Sequence, residues 1–559
     1  LTEEDFRNKL TRYVPDALGN TESMTDAKGY TTSYQYNDYG QVTFINDPLY
    51  SQSFDYDEFG RQTEAVDRRG IKTETTYNYL NLESTVRRGN QLRIQNQYYP
   101  DGQLRETLDG EGNRTFYEYD ALKRVTLESG EELAITQFVH DTVNRTREIV
   151  SPDNVRTTET YDVRGNLRTS ETEGATTEYQ YDTANNQTQL IMPKGNAYIY
   201  AYDSLNHLDT ITDGELNITD FEFDDLGRKH AQTDGNGIRT QFEYDANSNL
   251  KQIAYAFGSA DALITSFTYD DANNRETQTL PQSYNNGSGI ITYGYDKLHR
   301  LTSQSDSTGS YSWTLDGNGN ATRTDYTWAD VDGSPRNGLR SGYELSKYDD
   351  QNLRTLHTDI AGLVTQWRYD NNDLPEEITY PNLDITRYTY DDRNRVDTVS
   401  LITSAENGSL NGTVSFDYYR DDRLKSKTYS NGAKTEYQYT PRNQTERIKH
   451  SLSNATLAEL VYGYDLNDNR TTETKNNGSV EVVIEYDFDN DDRLEEVRYP
   501  VQYGEPAKTI TYQYDGAHNR KHELINQDDK SYSRIYGYND LDQLEQITVT
   551  GLEPNDPEN

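Results

Sequence analysis

Gly112-Asn113-Arg114-Thr115-Phe116-Tyr117-Glu118-Tyr119-Asp120-Ala121-Leu122-Lys123-Arg124-Val125 is the stretch whose reading decides the fold. Tyr117 and Tyr119 stand two apart and so share one face of a strand, with Glu118 on the other. Asp120 opens a turn, Ala121-Leu122-Lys123 carry the chain round, and Arg124-Val125 start a strand running back. The stretch predicts a β-hairpin with an aromatic face.

The phrase recurs from end to end. Copies include FDYDEFGR at Tyr56, YAYD at Tyr202, FEFDDLGR at Phe223, YGYDKLHRL at Tyr295, YTYDDRNRV at Tyr390, YGYDLNDNR at Tyr464 and YQYDGAHNR at Tyr514. Tyr79, Tyr99 and Tyr486 are placed at the same phase, and Phe138-Val139-His140-Asp141 is a degenerate copy. Most steps are 20 or 21 residues, as from Tyr202 to Phe223 to Tyr244. A fixed period of that size marks a repeat architecture. Second turns such as Asp109-Gly110-Glu111-Gly112-Asn113 and Asp234-Gly235-Asn236-Gly237 lie between hairpins, their Gly and Asn supplying positive φ. One repeat is therefore two short strands and two turns. Tyr117, Tyr119, Asp120, Tyr202, Asp203, Tyr295, Asp296, Tyr390 and Asp391 are its structural residues.

A hydrophobic fraction of 32% with a net charge of -41 suggests disorder. The 48 tyrosines reverse that reading, because stacked rings offer an alternative to an aliphatic core. No run approaches the ~20 apolar residues of a membrane span. No signal-peptide pattern opens the chain, and its start at Leu1 suggests part of a longer polypeptide. Cysteine is absent, which removes disulfides and thiol catalysis. A pI near 4.5 argues against nucleic acid as a partner.

Three regions are expected. Residues 1–20 form a lead-in, in which Thr2-Glu3-Glu4-Asp5 would cap a short helix to about Leu10. Residues 21–548 form the repeat array, with its longest insertion at about 320–345, and residues 549–559 form a polar tail.

The xYxYDxxGRL phrase resembles the YD repeats of RHS-type proteins: bacterial polymorphic toxins, the C components of insecticidal toxin complexes, and teneurins. The resemblance covers nearly the whole chain. It implies an all-β fold of YD-repeat hairpins spiralling into a hollow β-shell. In the toxin members such a shell encloses a C-terminal toxic polypeptide, released by aspartyl self-cleavage at a DPxG-type motif. Here Asp47-Pro48 and Asp556-Pro557 are not followed by that Gly. Self-cleavage does not carry over.

No catalytic constellation appears. His207, His299 and His518 stand in turns after the YD pair and read as turn residues; no HExxH or GxSxG motif is present. Recurrent acid pairs such as Asp224-Asp225 and Asp391-Asp392 read as turn caps, which leaves no residues for a hydrolase. Acidic turns at Asp465-Leu466-Asn467-Asp468-Asn469 and Asp487-Phe488-Asp489-Asn490-Asp491-Asp492 offer oxygen ligands for Ca²⁺ without EF-hand spacing. Trp328, in the longest insertion beside Tyr326, is an off-phase loop aromatic suited to a glycan or protein partner. The expected function is a non-enzymatic scaffold that encloses or displays another polypeptide, as part of a secreted or cell-surface bacterial protein. The alternative is an adhesin whose insertion loops bind carbohydrate or a receptor.

Overall fold

The computed structural model describes all residues except 1, 6–8, 131–133, 282–288, 329–340, 404–408, 454, 479, 503–504, 529 and 552–559. Among the described residues there are 49 strands and no helix. The strands run as an antiparallel meander in which consecutive strands pair, as Arg156–Tyr161, Leu167–Thr172, Ala175–Tyr181, Gln187–Ile191 and Ala197–Tyr202 do in turn. Thr2–Glu4 pairs with Leu10–Pro15, so the start of the lead-in is a hairpin rather than the expected helix. Its exposed polar residues gain a ladder, whereas an isolated helix of that length is marginal. Strand Leu544–Thr550 reaches into the expected tail, and 552–559 lie outside the described residues.

The hairpin turn follows one design. In Asp57-Glu58-Phe59-Gly60-Arg61, the Gly60 N–H donates to the Asp57 carbonyl at 3.0 Å and Gly60 has φ 76°. That is a type I turn closed by a left-handed residue, the usual three-residue hairpin loop. Asp57 Oδ1 accepts the N–H groups of Phe59 and Arg61, and Oδ2 accepts Arg61 Nε at 2.7 Å. Asp120 does the same with Leu122 and Arg124, as do Asp203 with Leu205 and His207, and Asp391 with Arg393 and Arg395. The carboxylate fixes the turn while its second oxygen holds the residue four places on.

The ladder explains why the second aromatic is tyrosine. Between one hairpin and the next, backbone pairing covers a short run, as Glu377↔Arg387, Ile378↔Thr386 and Thr379↔Ile385. Beyond it the strands part, and Tyr390 Oη donates to the Pro375 carbonyl at 2.7 Å across the opening. The same tether joins Tyr56 to Val42, Tyr202 to Gln187, Tyr295 to Arg275 and Tyr439 to Leu424. His140 takes the tyrosine place in the degenerate copy, its Nε2 reaching the Val125 carbonyl at 3.0 Å. Phe223 lacks a hydroxyl and stacks on His207 at 4.7 Å.

This geometry moves three positions of the repeat. The tethering residues are Tyr77 and Tyr98, bonded to Gln62 and Glu83, not Tyr79 and Tyr99. Asn78 replaces the turn aspartate, leaving Tyr79 at the tip, 82% exposed. The strand assigned to Tyr486 runs on to Phe488.

Stacked rings alone do not hold the sheet. Among the described residues no large side chain is fully buried, and the one aliphatic cluster is Val482, Ile484 and Val497. Cations sit between successive rings instead. Arg61 lies 4.7 Å from Tyr77 and 5.0 Å from Phe59, and Arg470 lies 5.2 Å from Tyr462 and 5.1 Å from Tyr486. The arginine of the repeat phrase thus serves both turn and ladder.

The described chain divides into two compact units. The first comprises Leu1–Glu118, Glu243–Ile253 and Ile264–Thr413; the second comprises Tyr119–Phe242, Ala254–Leu263 and Val414–Asn559. Within each, an early and a late run of the meander meet through their turns. In the first unit, Arg69 reaches the Asp349 carbonyl at 2.6 Å and Asn372 Nδ2 reaches Asp109 Oδ2 at 2.7 Å. In the second, Asn196 Nδ2 donates to the Asn490 carbonyl at 2.8 Å.

Candidate functional site

The seam between early and late runs brings together chemistry that lies far apart in sequence. In the second unit, the turn Asp213-Gly214-Glu215-Leu216-Asn217 meets the turn Asp489-Asn490-Asp491-Asp492-Arg493. Gly214 N donates to Asp491 Oδ1 at 2.7 Å and Asn490 N to Glu215 Oε1 at 2.9 Å. A Cβ on Gly214 would stand 2.0 Å from the Asn490 carbonyl oxygen, so the approach admits only glycine. The turn glycines therefore divide by role. Gly112 and Gly237 have the expected positive φ, whereas Gly110 and Gly235 permit contact between runs.

Asp213, Asp491 and His518 converge here, with one ligand atom from each within 4.8 Å of the others. Asp213 is buried; its Oδ1 accepts from Glu215 N and Asn217 N, its Oδ2 from Asn217 Nδ2 at 2.8 Å. His518 Nε2 lies 3.5 Å from Asp213 Oδ2, and Arg493 Nη1 lies 3.0 Å from His518 Nδ1. The Asp491 side chain is 3% exposed, and its Oδ2 has no hydrogen-bond partner; Arg493 Nη2 stands 3.7 Å away. Burial holds the Asp491 carboxyl above the usual carboxylate range, opposed by the Gly214 N–H and reinforced by the Asp213 carboxylate beside it.

A second acid pair occupies the same seam. Arg423 bridges Asp421 Oδ2 at 2.5 Å and Asp153 Oδ2 at 3.2 Å. Burial raises the Asp421 carboxyl, partly offset by Arg423. A shallow cleft lined by Thr157, Met192, Pro193, Asp421, Arg423 and Leu466 adjoins this pair.

Trp328 is not a loop residue. It ends strand Ala321–Trp328 and pairs with Gly309, while 329–340 lie outside the described residues. Alternation places Tyr326 and Trp328 on one face, where their rings stack at 5.7 Å with 4° between planes. Tyr311 meets Tyr326 edge-on at 5.4 Å and stacks with Trp313 at 6.4 Å, extending the row. Tyr326 Oη donates to Glu344 Oε2 at 2.6 Å, and burial followed by that carboxylate pushes its hydroxyl up to about 12.

The acidic turns singled out for Ca²⁺ are largely engaged. Asp465 caps Asn467 and Asn469 and pairs with Lys194 Nζ at 2.9 Å; Asp487 pairs with Arg498 and Asp489 with Arg493. His299 and His518 occupy the left-handed turn position, at φ 61° and 68°. His207 stands one place later and bonds Asp203 Oδ2 at 2.9 Å. Sequence reasoning missed the joining of Asp213, Asp491 and His518, since the signal is an acid pair visible only when the runs meet.

The family described as RHS Repeat matches residues 16–52, 161–197 and 223–260. A search of curated protein sequences returns no match. Among solved structures, the fold matches a TcdB2-TccC3 crystal structure with a TM-score of 0.61 at 12% identity, covering 96% of this chain and 37% of that one. It matches the Tc holotoxin pore of Photorhabdus luminescens at 0.60 and 11% identity, covering 95% of this chain and 39% of that one. A TcdB2-TccC3-Cdc42 crystal structure gives 0.60 and 11%, with 99% and 40% covered. The chain spans about two fifths or less of those proteins' length. Its repeat phrase, the matched segments and the all-β meander agree in their resemblance to RHS/YD-repeat proteins, with the family model itself matching three stretches of the chain.

Proposed function

We propose that this chain is wall material: a non-catalytic YD-repeat scaffold of toxin type that encloses or displays another polypeptide, as part of a secreted or cell-surface bacterial protein. The observation that supports it best is the way early and late runs abut through turn-to-turn hydrogen bonds inside each unit. A strip that rejoins itself edge to edge extends a wall of one sheet thickness, which is the construction an enclosing shell needs. Similarity to TcdB2-TccC3 over 96% of the chain agrees with that reading. The acidic balance of -41 suits a basic cargo.

The test is single-particle electron microscopy of this chain beside the full-length product of its gene. A hollow particle with added internal density only in the full-length protein supports enclosure. An open strip, or a shell empty in both, refutes it. The aromatic row Trp313, Tyr311, Tyr326 and Trp328 favours a second reading, carbohydrate binding by stacking on ring faces. Glycan-array signal that disappears in Trp328→Ala supports it; absence of signal in the wild type removes it.

A further inference from the structure

We propose that Asp213, Asp491 and His518 bind one divalent transition-metal ion of the zinc class, which staples the early and late runs of the second unit together. Nothing in this step depends on the enclosing role.

The donor set is chemically coherent. Two carboxylates and an imidazole suit zinc-class ions, and a partly open fourth position is left for water. Adjacent ligand atoms around a tetrahedral zinc stand about 3.3 Å apart, from Zn–N and Zn–O bonds of ~2.0–2.1 Å. His518 Nε2 and Asp213 Oδ2 are 3.5 Å apart, and all three ligand atoms lie within 4.8 Å. Only a small closure of the site is required.

Asp491 supplies the independent observation. Its side chain is 3% exposed, yet Oδ2 has no hydrogen-bond partner. A buried carboxylate oxygen left so is costly, and the group that would satisfy it is a cation. The other acid pair of this seam provides an internal comparison. There Arg423 enters between Asp153 and Asp421 at 3.2 and 2.5 Å and acts as the cation. At Asp213 and Asp491 the corresponding arginine, Arg493, is drawn back: its Nε bonds Asp489 Oδ2 at 2.7 Å, so that its Nη2 makes only a long ion pair, 3.7 Å, with Asp491 Oδ2. In one acid pair the arginine stands close between the two carboxylates; in the other it reaches Asp491 Oδ2 only as a long ion pair, outside hydrogen-bond distance.

Ligation by His518 Nε2 puts the ring proton on Nδ1, so the 3.0 Å contact with Arg493 Nη1 must open. Arg493 retains Asp489 when it does. The half-exposed His518 ring, at 50%, has room to turn.

The experiment uses chelator-treated full chain and Co²⁺ as a spectroscopic probe, with Zn²⁺ as competitor. Expected is one equivalent of Co²⁺ with visible d–d bands, displaced by Zn²⁺, and a melting midpoint raised by either ion. Asp491→Asn and His518→Gln should each weaken Co²⁺ binding at least about tenfold, while Asp421→Asn leaves it unchanged. Lack of d–d bands in the wild type overturns the proposal. So does unchanged binding in Asp491→Asn or His518→Gln. His518→Gln alters a half-exposed side chain, so the test stands even if Asp491→Asn fails to fold.

Discussion

Replacing Tyr390 by Phe removes one oxygen and tests why the repeat uses tyrosine. The hydroxyl donates to the Pro375 carbonyl at 2.7 Å, at the point where strands Pro375–Thr379 and Ile385–Tyr390 stop pairing after Thr379↔Ile385, Ile378↔Thr386 and Glu377↔Arg387. A net intramolecular hydrogen bond contributes about 1 kcal/mol. Tyr390→Ala also removes the ring. Full burial of a phenyl ring corresponds to ~3–5 kcal/mol, and this ring is half-buried, so about 2 kcal/mol more is lost. Repeat proteins open locally, so the assay is native-state hydrogen exchange of the amides of these two strands. At 1.4 kcal/mol per tenfold, about 1 kcal/mol is roughly fivefold faster exchange for Phe, and about 3 kcal/mol is over a hundredfold for Ala. Exchange in Tyr390→Phe within twofold of wild type would refute the tether. Equal effects of Phe and Ala would refute the contribution of the ring.

Alkaline pH should dissolve the ladder. Burial pushes the hydroxyls of Tyr390, Tyr326 and Tyr486 up to about 12, so the native state holds those protons more tightly than the unfolded chain. That stability is complete below the unfolded value near 10 and is lost as pH rises to about 12, which tyrosinate absorbance and circular dichroism should show as one coupled transition. The raised carboxyl of Asp421 acts in the same direction at lower pH: its neutral form favours the fold, so its contribution is present below about pH 4 and falls as pH rises through its native value. Urea midpoints of wild type minus Asp421→Asn should therefore decline with pH across that window, and a rising difference would contradict the burial assigned to Asp421. Gly214→Ala should destabilise the second unit, since its Cβ meets a backbone oxygen at 2.0 Å; protease cleavage in the 210–220 and 485–495 turns should increase, while Gly112→Ala, with nothing within 4 Å and φ 91°, strains only its own turn. Asp57→Ala should open its hairpin more than Asp57→Asn, because asparagine keeps the oxygen that accepts from Phe59 and Arg61; equal effects would shift the turn's stability to the Arg61 pair.

Much of the fold was legible in residues that repeat. Two aromatics two apart, an aspartate and a left-handed residue three places on dictate a hairpin locally, and a step of 20 or 21 residues dictates that the next hairpin lies beside it. Even the degenerate copy at His140-Asp141 keeps the tether, although its turn is one residue longer, with Asp141 accepting from Val143 and Asn144 and Arg145 as the left-handed residue. The lead-in was misread because Thr-Glu-Glu-Asp carries a helix-start signal that pairing with Leu10–Pro15 overrides. Trp328 was misread because a lengthened strand and a loop look alike where the period breaks. Tertiary structure alone decided which turns meet. Asp213 and Asp491 are separated by 278 positions in the sequence, and whether an acid at the seam faces an arginine, as Asp421 does, or another acid depends on how early and late runs come into register. The sequence specifies each hairpin through contacts within about 20 residues. The seam arises from contacts that no local pattern encodes, and that is where Asp213, Asp491 and His518 come together.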